Sequence, residues 1–512
     1  MRALFLRIFL FTYFIVGLFG CQEGFSTDPD LDANINAGVP DGPIGEIGVF
    51  YPDGSIPEVP SLLLRGVVVT PAQVIPKGEV LTQGDRLTCV AESCEAELGA
   101  SGAIKIDTGG IIFPGLIDSH NHTDYNYLPV WANPIKYGNH SQWQGSAAYK
   151  GAISGPHTEM KDPKGKDGKG GCDSDTDCST GMCVQGKCEN VLCEMIKYGE
   201  IRALIGGATV IQGTTLRKCA DTLIRNVDLP YHGLGSGDTV RTSVLGVYSI
   251  TNPEKLVSDL KSGSATAFII HLGEGTDETA RKEFDELEAL GLLLPQVTII
   301  HGTALGDKEL AKVKATGMNL IWSPSSNLAL YGETNNISAV WNMGIPFALS
   351  PDWTPSGEAD ILGELRRVWE FNKQQLGGLW SARDLVEMVT VKAAQAVKFE
   401  NEIGELAVGK RADLLVIRGN TNAPYEALVT AKQAQVRLVI LGGKVLYGDS
   451  VLMTSLVPNE YCESIDICGT AKILCVKEGE DTENKFNQTL TDIESALNFS
   501  YKPGILSLCT EN

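Results

Sequence analysis

Histidine is scarce in this chain, with seven residues in 512, and basic side chains are outnumbered, 42 Lys and Arg against 63 Asp and Glu. The net charge of −21 and the lack of any basic stripe exclude nucleic acid as a partner, because phosphate binding needs clustered Lys and Arg. Long apolar runs are missing beyond the N-terminus, so no later segment approaches the roughly 20 residues of a membrane-spanning helix. The length is too great for one small core and implies a large domain with accessory ones.

With so few histidines, their placement is informative. In Pro114-Gly115-Leu116-Ile117-Asp118-Ser119-His120-Asn121-His122 an apolar run, Ile111-Ile112-Phe113, leads into a His-x-His pair. Alternation along a strand puts His120 and His122 on one side. Thr266 to His271 is an apolar strand ending in histidine; Gln296 to His301 repeats the design, and Ile345 to Asp352 repeats it with an aspartate. Buried parallel strands read as continuous apolar runs, and their C-terminal ends carry active-site residues. Four of the seven histidines fall in such positions. One alone reads as a core histidine; four with a strand-end aspartate read as a metal site.

The order His-x-His, His, His, Asp on successive strands resembles the metal-dependent amidohydrolase superfamily, in its cytosine deaminase and chlorohydrolase-like branch. Further motifs carry the resemblance: Arg65 to Val69 and Gly84-Asp85-Arg86-Leu87, Gly207 to Gly213, Ser323-Pro324-Ser325-Ser326-Asn327, Gly404 to Leu414, and Leu441 to Val445. It spans residues 61–450 and implies an α/β architecture. A (β/α)8 TIM-like barrel (114–402) would carry a composite β-sandwich built from its flanks (61–113 and 403–450), a Cys-rich insertion (160–193) and a Cys-containing tail (451–512). Asp221 to Val227 and Val240 to Ser249 are the candidates for strands three and four, and Asp277 to Leu290 and Ile361 to Gln375 for outer helices. Residues 191–205 show helical spacing, with Leu192, Ile196, Ile201 and Leu204 on one side.

On this reading His120, His122, His271 and Asp352 form a three-nitrogen, one-oxygen set suited first to zinc and second to iron(II), with room for a water whose pKa the metal would lower to about 7. The resemblance implies that Glu274, three residues past His271, shuttles a proton to the departing nitrogen. It gives His301 the task of holding the hydroxide or the oxyanion, and lets Asp352 also accept the water's proton. The superfamily's two-metal version needs a carboxylated lysine ending strand four; Val244 to Ile250 offers none, and Lys255 comes later. Trp353 beside Asp352 would form a pocket wall or pack under the rim. Trp131, Tyr137, Trp143 and Tyr149 would line the pocket or cover the barrel mouth.

Met1-Arg2 and Arg7 flank an apolar run ending in Leu18-Phe19-Gly20 before Cys21, which resembles a bacterial lipoprotein signal (1–21). Residues 22–60, rich in Asp, Gly and Pro, read as a flexible acidic linker. With Cys21 lipidated, twelve cysteines remain. Cys172, Cys178, Cys183, Cys188 and Cys193 cluster in the insertion, and Cys462, Cys468, Cys475 and Cys509 in the tail. Cys89 and Cys94 are close together, and Cys219 stands alone. The insertion has neither two Cys-x-x-Cys pairs nor a histidine, which favours disulfides over a zinc knuckle.

These features describe a hydrolase of carbon–nitrogen bonds other than peptide bonds, lipid-anchored at a bacterial cell envelope on its periplasmic or outer-membrane face. It would act on a small molecule with one divalent transition metal, by cleaving a cyclic amide or deaminating a heterocycle. The envelope location pulls toward amide cleavage. The alternatives are a two-metal dipeptidase-like hydrolase and an inactive surface binding protein on the same fold. Homo-oligomerisation stays open.

Overall fold

The computed structural model describes residues 59–180, 182–213, 223–228, 234, 240–454, 456, 462–477 and 488–509. The lipoprotein signal, Cys21, nearly all of the linker and Cys219 lie outside these residues.

Eight parallel strands make the barrel, in two hydrogen-bonded arcs. Leu116–Asp118, Ala208–Ile211 and Arg225–Asn226 form the first arc; Val240–Ser243, Ala267–Leu272, Val297–His301, Asn319–Trp322 and Phe347–Leu349 form the second. Strand one meets strand eight where Asn121 pairs with Asp352 in the parallel sense. Alternation sorts the apolar residues: Ala267 and Ile269 join Ile117, Val210, Ile300, Ile321 and Ala348 in one buried cluster, while Phe268 and Ile270 pack with Phe284 of the outer helix Glu278–Ala289. The expected outer helices form at Glu278–Ala289 and Ile361–Gln375, each N-capped by the preceding aspartate, Asp277 or Asp360. Strand three is only two residues long among those described, and strand four ends at Ser243. Both are shorter than the sequence pattern indicated.

The flanking segments form one continuous nine-stranded sheet. Leu62–Val69 runs parallel to Ile104–Pro114, and Leu414–Ile417 pairs antiparallel with Ile111 to Pro114, so the chain leaving the barrel returns beside the chain entering it. One face buries Leu64, Val68, Ile112, Val416 and Leu438; residues of the other, among them Phe113, Leu415 and Val439, share the large cluster that includes Ile201 and Leu204. The sheet curls: the turn at Gly84 meets the turn at Gly443, where an added Cβ would lie 2.3 Å from the Gly84 carbonyl oxygen.

Two features depart from expectation. The tail beyond residue 450 is no appendage, because Glu463–Ile467 and Thr470–Leu474 extend the same sheet from Lys444–Asp449. The helix Leu192–Ile205 is buried on nearly every side instead of on one stripe. The tail supplies the reason. Arg202 donates to the carbonyls of Leu506 (2.7 Å) and Ser507 (2.8 Å), and Tyr198 to that of Leu506. The Nη2 of this buried charged side chain is thereby hydrogen-bonded to the tail.

Four cysteine pairs are local, Cys89–Cys94, Cys172–Cys183, Cys178–Cys188 and Cys462–Cys475, and Cys468–Cys509 spans the tail. Cys193 is also disulfide-bonded. These cross-links limit the unfolded freedom of insertion and tail. Peptide mapping of the non-reduced protein should recover these five pairs, and alkylation without reductant should label few thiols. Labelling of most of them would contradict the arrangement.

Candidate active site

The sequence-expected residues converge at the C-terminal ends of strands one, five, six and eight. His120 Nε2 lies 3.0 Å from His271 Nε2 and 3.3 Å from Asp352 Oδ1; His122 Nε2 is 3.4 Å from the same oxygen. Two triads share His120: one with His122 and Asp352, the other with His271 and His301, each with ligand-type atoms within 4.8 Å of one another. His301 therefore sits closer to the ligand group than a purely second role suggests, while its Nε2 also lies 3.8 Å from Glu274 Oε1.

Backbone strain helps to aim two of these groups. His301 has φ 64° and Asp352 φ 74°, the left-handed region that residues with a Cβ seldom occupy. Val297 and Ile299 share the parity of His301 and pack in the outer cluster. Positive φ breaks the alternation, and the His301 ring ends 5.3 Å from that of His271 and 4.9 Å from that of His120. Such strain persists where the surroundings over-determine it, characteristically at functional sites.

The segment Ser323 to Asn327 holds three of the five. His120 Nδ1 is 2.9 Å from the Ser323 hydroxyl, Ser326 Oγ donates to Asp352 Oδ2 (2.6 Å), and His301 Nδ1 lies 3.0 Å from Asn327 Oδ1. A carbonyl oxygen only accepts, so His301 carries its proton on Nδ1 and turns a lone pair on Nε2 toward the site. Beneath His120, buried Asp118 accepts from Ser350 Oγ and Asn121 Nδ2, both at 2.6 Å. Burial raises its pKa to about 7 against those bonds.

The electrostatics suit a cation. Burial holds His120 and His271 well below the ordinary imidazole value, and the neighbouring imidazoles push the same way; burial takes His122 down to about 4. Neutral imidazole is the form that binds metal. Asp352 Oδ1 is buried without a hydrogen-bond partner, and burial pushes this carboxyl well above its usual range. An orphaned buried carboxylate oxygen facing the Nε2 atoms of His120 and His122, with His271 beside His120, fits a divalent ion.

Glu274 is buried just past strand five. Burial would raise its pKa, but His301 and a hydrogen bond from His140 outweigh that and hold it well below the carboxylate range. Its Oε1 accepts from the Tyr331 hydroxyl at 2.6 Å, which itself accepts from Trp143 Nε1 at 2.8 Å. Sequence reasoning passed over Tyr331 and His140, because neither ends a strand nor stands in a ligand spacing. Trp353 packs 5.6 Å from the His122 ring and 5.8 Å from Trp143; Trp143 meets Tyr149, and Tyr149 meets Trp131. These rings wall the site on the His122 side. Lys255 lies on the helix Pro253–Ser262, paired with Asp259 at 2.7 Å on the surface, and does not bridge the histidines.

Replacing Tyr331 by Phe would leave the buried Trp143 N–H without its acceptor. An unmet buried donor costs about 1–3 kcal/mol, so urea unfolding of Tyr331→Phe should shift by that amount. An unchanged midpoint would mean that the bridge does not form.

Comparison with known proteins follows the same line. Residues 260–446 match the model of the amidohydrolase family. A 5-methylthioadenosine/S-adenosylhomocysteine deaminase of Moorella thermoacetica is 24% identical over 431 residues, covering 75% of this chain and 94% of that protein. An adenosine deaminase structure from Xanthomonas campestris with bound zinc superposes with a TM-score of 0.56 at 18% identity, covering 75% of this chain and 92% of the other. A zinc complex of atrazine chlorohydrolase from Arthrobacter aurescens gives 0.54 at 17% identity, covering 75% and 95%.

Proposed function

We propose that this chain, related to the metal-dependent amidohydrolases of the deaminase and chlorohydrolase branch, is a hydrolase that removes an amino or similar group from a small heterocycle. The orphaned Oδ1 of Asp352 facing the Nε2 atoms of His120 and His122 is the observation that carries the reading. His120, His122, His271 and Asp352 would hold one divalent ion, zinc before iron(II). Bound there, it would supply Lewis acidity that brings a water's pKa to about 7. Glu274, fixed by Tyr331 and close to His301, takes the proton of the attacking water and passes it to the departing nitrogen. His301, its Nε2 lone pair turned inward, steadies the attacking oxygen or, once protonated, the developing oxyanion. The aromatic wall of Trp353, Trp143 and Tyr149 suits a flat ring. The relatives' named substrates tip the choice toward heterocycle deamination over the cyclic-amide opening that an envelope location alone favoured. Among the described residues no lysine takes the bridging place of a two-metal site, which speaks against the dipeptidase-like alternative.

The test joins metal analysis to ammonia release from aminated heterocycles. One equivalent of metal should survive dialysis. Glu274→Gln should keep the metal and lose about 10²–10⁴-fold in turnover, the usual scale of general acid–base catalysis. His271→Ala should lose metal and activity together. Near-normal turnover in Glu274→Gln, or loss of metal with it, would overturn the assignment of roles.

We propose also that Cys21 carries lipid and tethers the enzyme to a bacterial membrane on its periplasmic or outer-membrane face. The Leu18-Phe19-Gly20-Cys21 junction supports this, as do the five disulfides, which persist in oxidising compartments. Mass analysis of the N-terminus should find a diacylated Cys21, and Cys21→Ser should release the protein from membranes. An intact Met1 end in the wild type would contradict it.

A further inference from the structure

His140, the first residue of the short helix His140–Gly145, has no place in the ligand set, yet its ring lies between two buried carboxylates. Nδ1 is 3.5 Å from Glu274 Oε2, and Nε2 is 3.4 Å from Glu283 Oε1. Carboxylate oxygens only accept, so a ring that satisfies both must carry a proton on each nitrogen, and that is the imidazolium. Catalytic hydrogen bonds of this length commonly tighten once substrate is bound.

The backbone is fastened to match. His140 N–H donates to the Glu274 carbonyl at 3.1 Å, Asn139 pairs with Gly275 in an antiparallel bridge, and Asn139 Nδ2 donates to Asp277 Oδ2 at 2.7 Å. Gly275 adopts φ 146°, where an added Cβ would sit 2.3 Å from the Gly138 carbonyl oxygen, so glycine is required for this approach. Glu283 Oε2 accepts from Gly273 N–H at 2.7 Å. The same carboxylate that faces His140 therefore also holds the residue preceding Glu274.

We propose that His140 is a positioning residue for Glu274: an imidazolium, oriented by Glu283, that fixes Oε2 while Tyr331 fixes Oε1. The inference rests on the reading of Glu274 as the proton carrier. Two-point fixation stops the carboxylate from pivoting, so that one oxygen always faces the reacting atoms. His140 is also the more exposed partner, its side chain 16% accessible against 6% for Glu274. The groups facing the ring are Glu274 on the strand-five loop, Glu283 on the outer helix, Asp277 at that helix's cap and His301 at the end of strand six. Gly246 approaches from the strand-four loop and brings no charge. Burial lowers the His140 pKa, but the hydrogen bond and charge of Glu274, then Glu283 and Asp277, raise it overall. A group raised in this way keeps its proton, and the contact, below the raised value, and loses both as pH rises through it. The expected signature is an alkaline limb in kcat above the ordinary imidazole range.

Full-length, zinc-loaded protein with ¹⁵N-labelled histidine tests this directly. The His140 signals, assigned by their loss in His140→Asn, should titrate above the unperturbed imidazole value of about 6.5, with both nitrogens protonated below that titration. Glu283→Gln should lower that titration. A titration at or below the unperturbed imidazole value would overturn the proposal. The kinetic arm uses 5′-methylthioadenosine and measures ammonia. A lost hydrogen bond to a charged group costs about 10- to 100-fold, so His140→Ala should lose that much kcat with KM and zinc content nearly unchanged. His140→Asn places an amide donor near Nδ1 and does not titrate; it should restore most of kcat and lack the alkaline limb. If His140→Ala does not fold, the comparison of His140→Asn with wild type decides. If 5′-methylthioadenosine is not turned over, the NMR result decides alone. Normal turnover in Glu274→Gln removes the reading on which the proposal rests, whereas an inactive Glu274→Gln beside an unimpaired His140→Ala refutes the His140 role only.

Discussion

Closure of the barrel between its first and last strands is the constraint on which the site depends. Asp352 N–H donates to the His120 carbonyl at 3.2 Å, and the Ser350 hydroxyl contacts both that carbonyl and Asp118. From Asp118 the network runs through Asn121 to Asn126, whose side-chain oxygen accepts from Thr354 N–H. Strand one and strand eight are far apart in sequence, and only this seam brings the His-x-His pair to the aspartate. A sheet left open there would retain every residue of the set and have no site. Polar networks of this kind are worth having only when every member is satisfied, and all but one acceptor here is. The exception is Asp352 Oδ1, the atom that faces the imidazoles.

The segment 323–327 shows how a recognised motif can be legible before its purpose is. It stands after strand seven, and its side chains reach to strands one, six and eight. Its proline opens the helix Pro324–Tyr331, where a missing N–H is harmless, and the same helix ends in Tyr331. One short helix therefore sets the tautomer of His301, supports Asp352 and fixes one oxygen of Glu274.

How much the sequence disclosed follows from the range of the interactions involved. Strands one, five, six and eight were legible because a parallel barrel strand is an apolar run with a polar end, a local pattern. The candidate metal ligands were legible because few residue types can serve and those present stand at strand ends. His140, Tyr331 and Glu283 were not, because each matters through a contact with a residue distant in sequence and no periodicity marks it. His301 shows a subtler limit: its place was evident, but only the reversed φ reveals how near the ligand group it comes. The tail was misjudged for the same reason. Short polar strands such as Glu463–Ile467 carry little pattern of their own, and they become strands by adding to an edge already formed.

That tail has a consequence for the order in which the molecule can be completed. The helix Leu192–Ile205 supports the barrel between strands one and two, yet its outer side is covered by residues 490–508, with the Leu506 N–H also reaching the Tyr127 carbonyl. A ribosome delivers these two regions far apart in time, and the Cys468–Cys509 bond that secures the second requires an oxidant. Until then Arg202 has no carbonyls to meet and the helix presents a bare apolar side. The early half of the barrel therefore stays unfinished through most of synthesis, and the chain locks only once its last residues are in place.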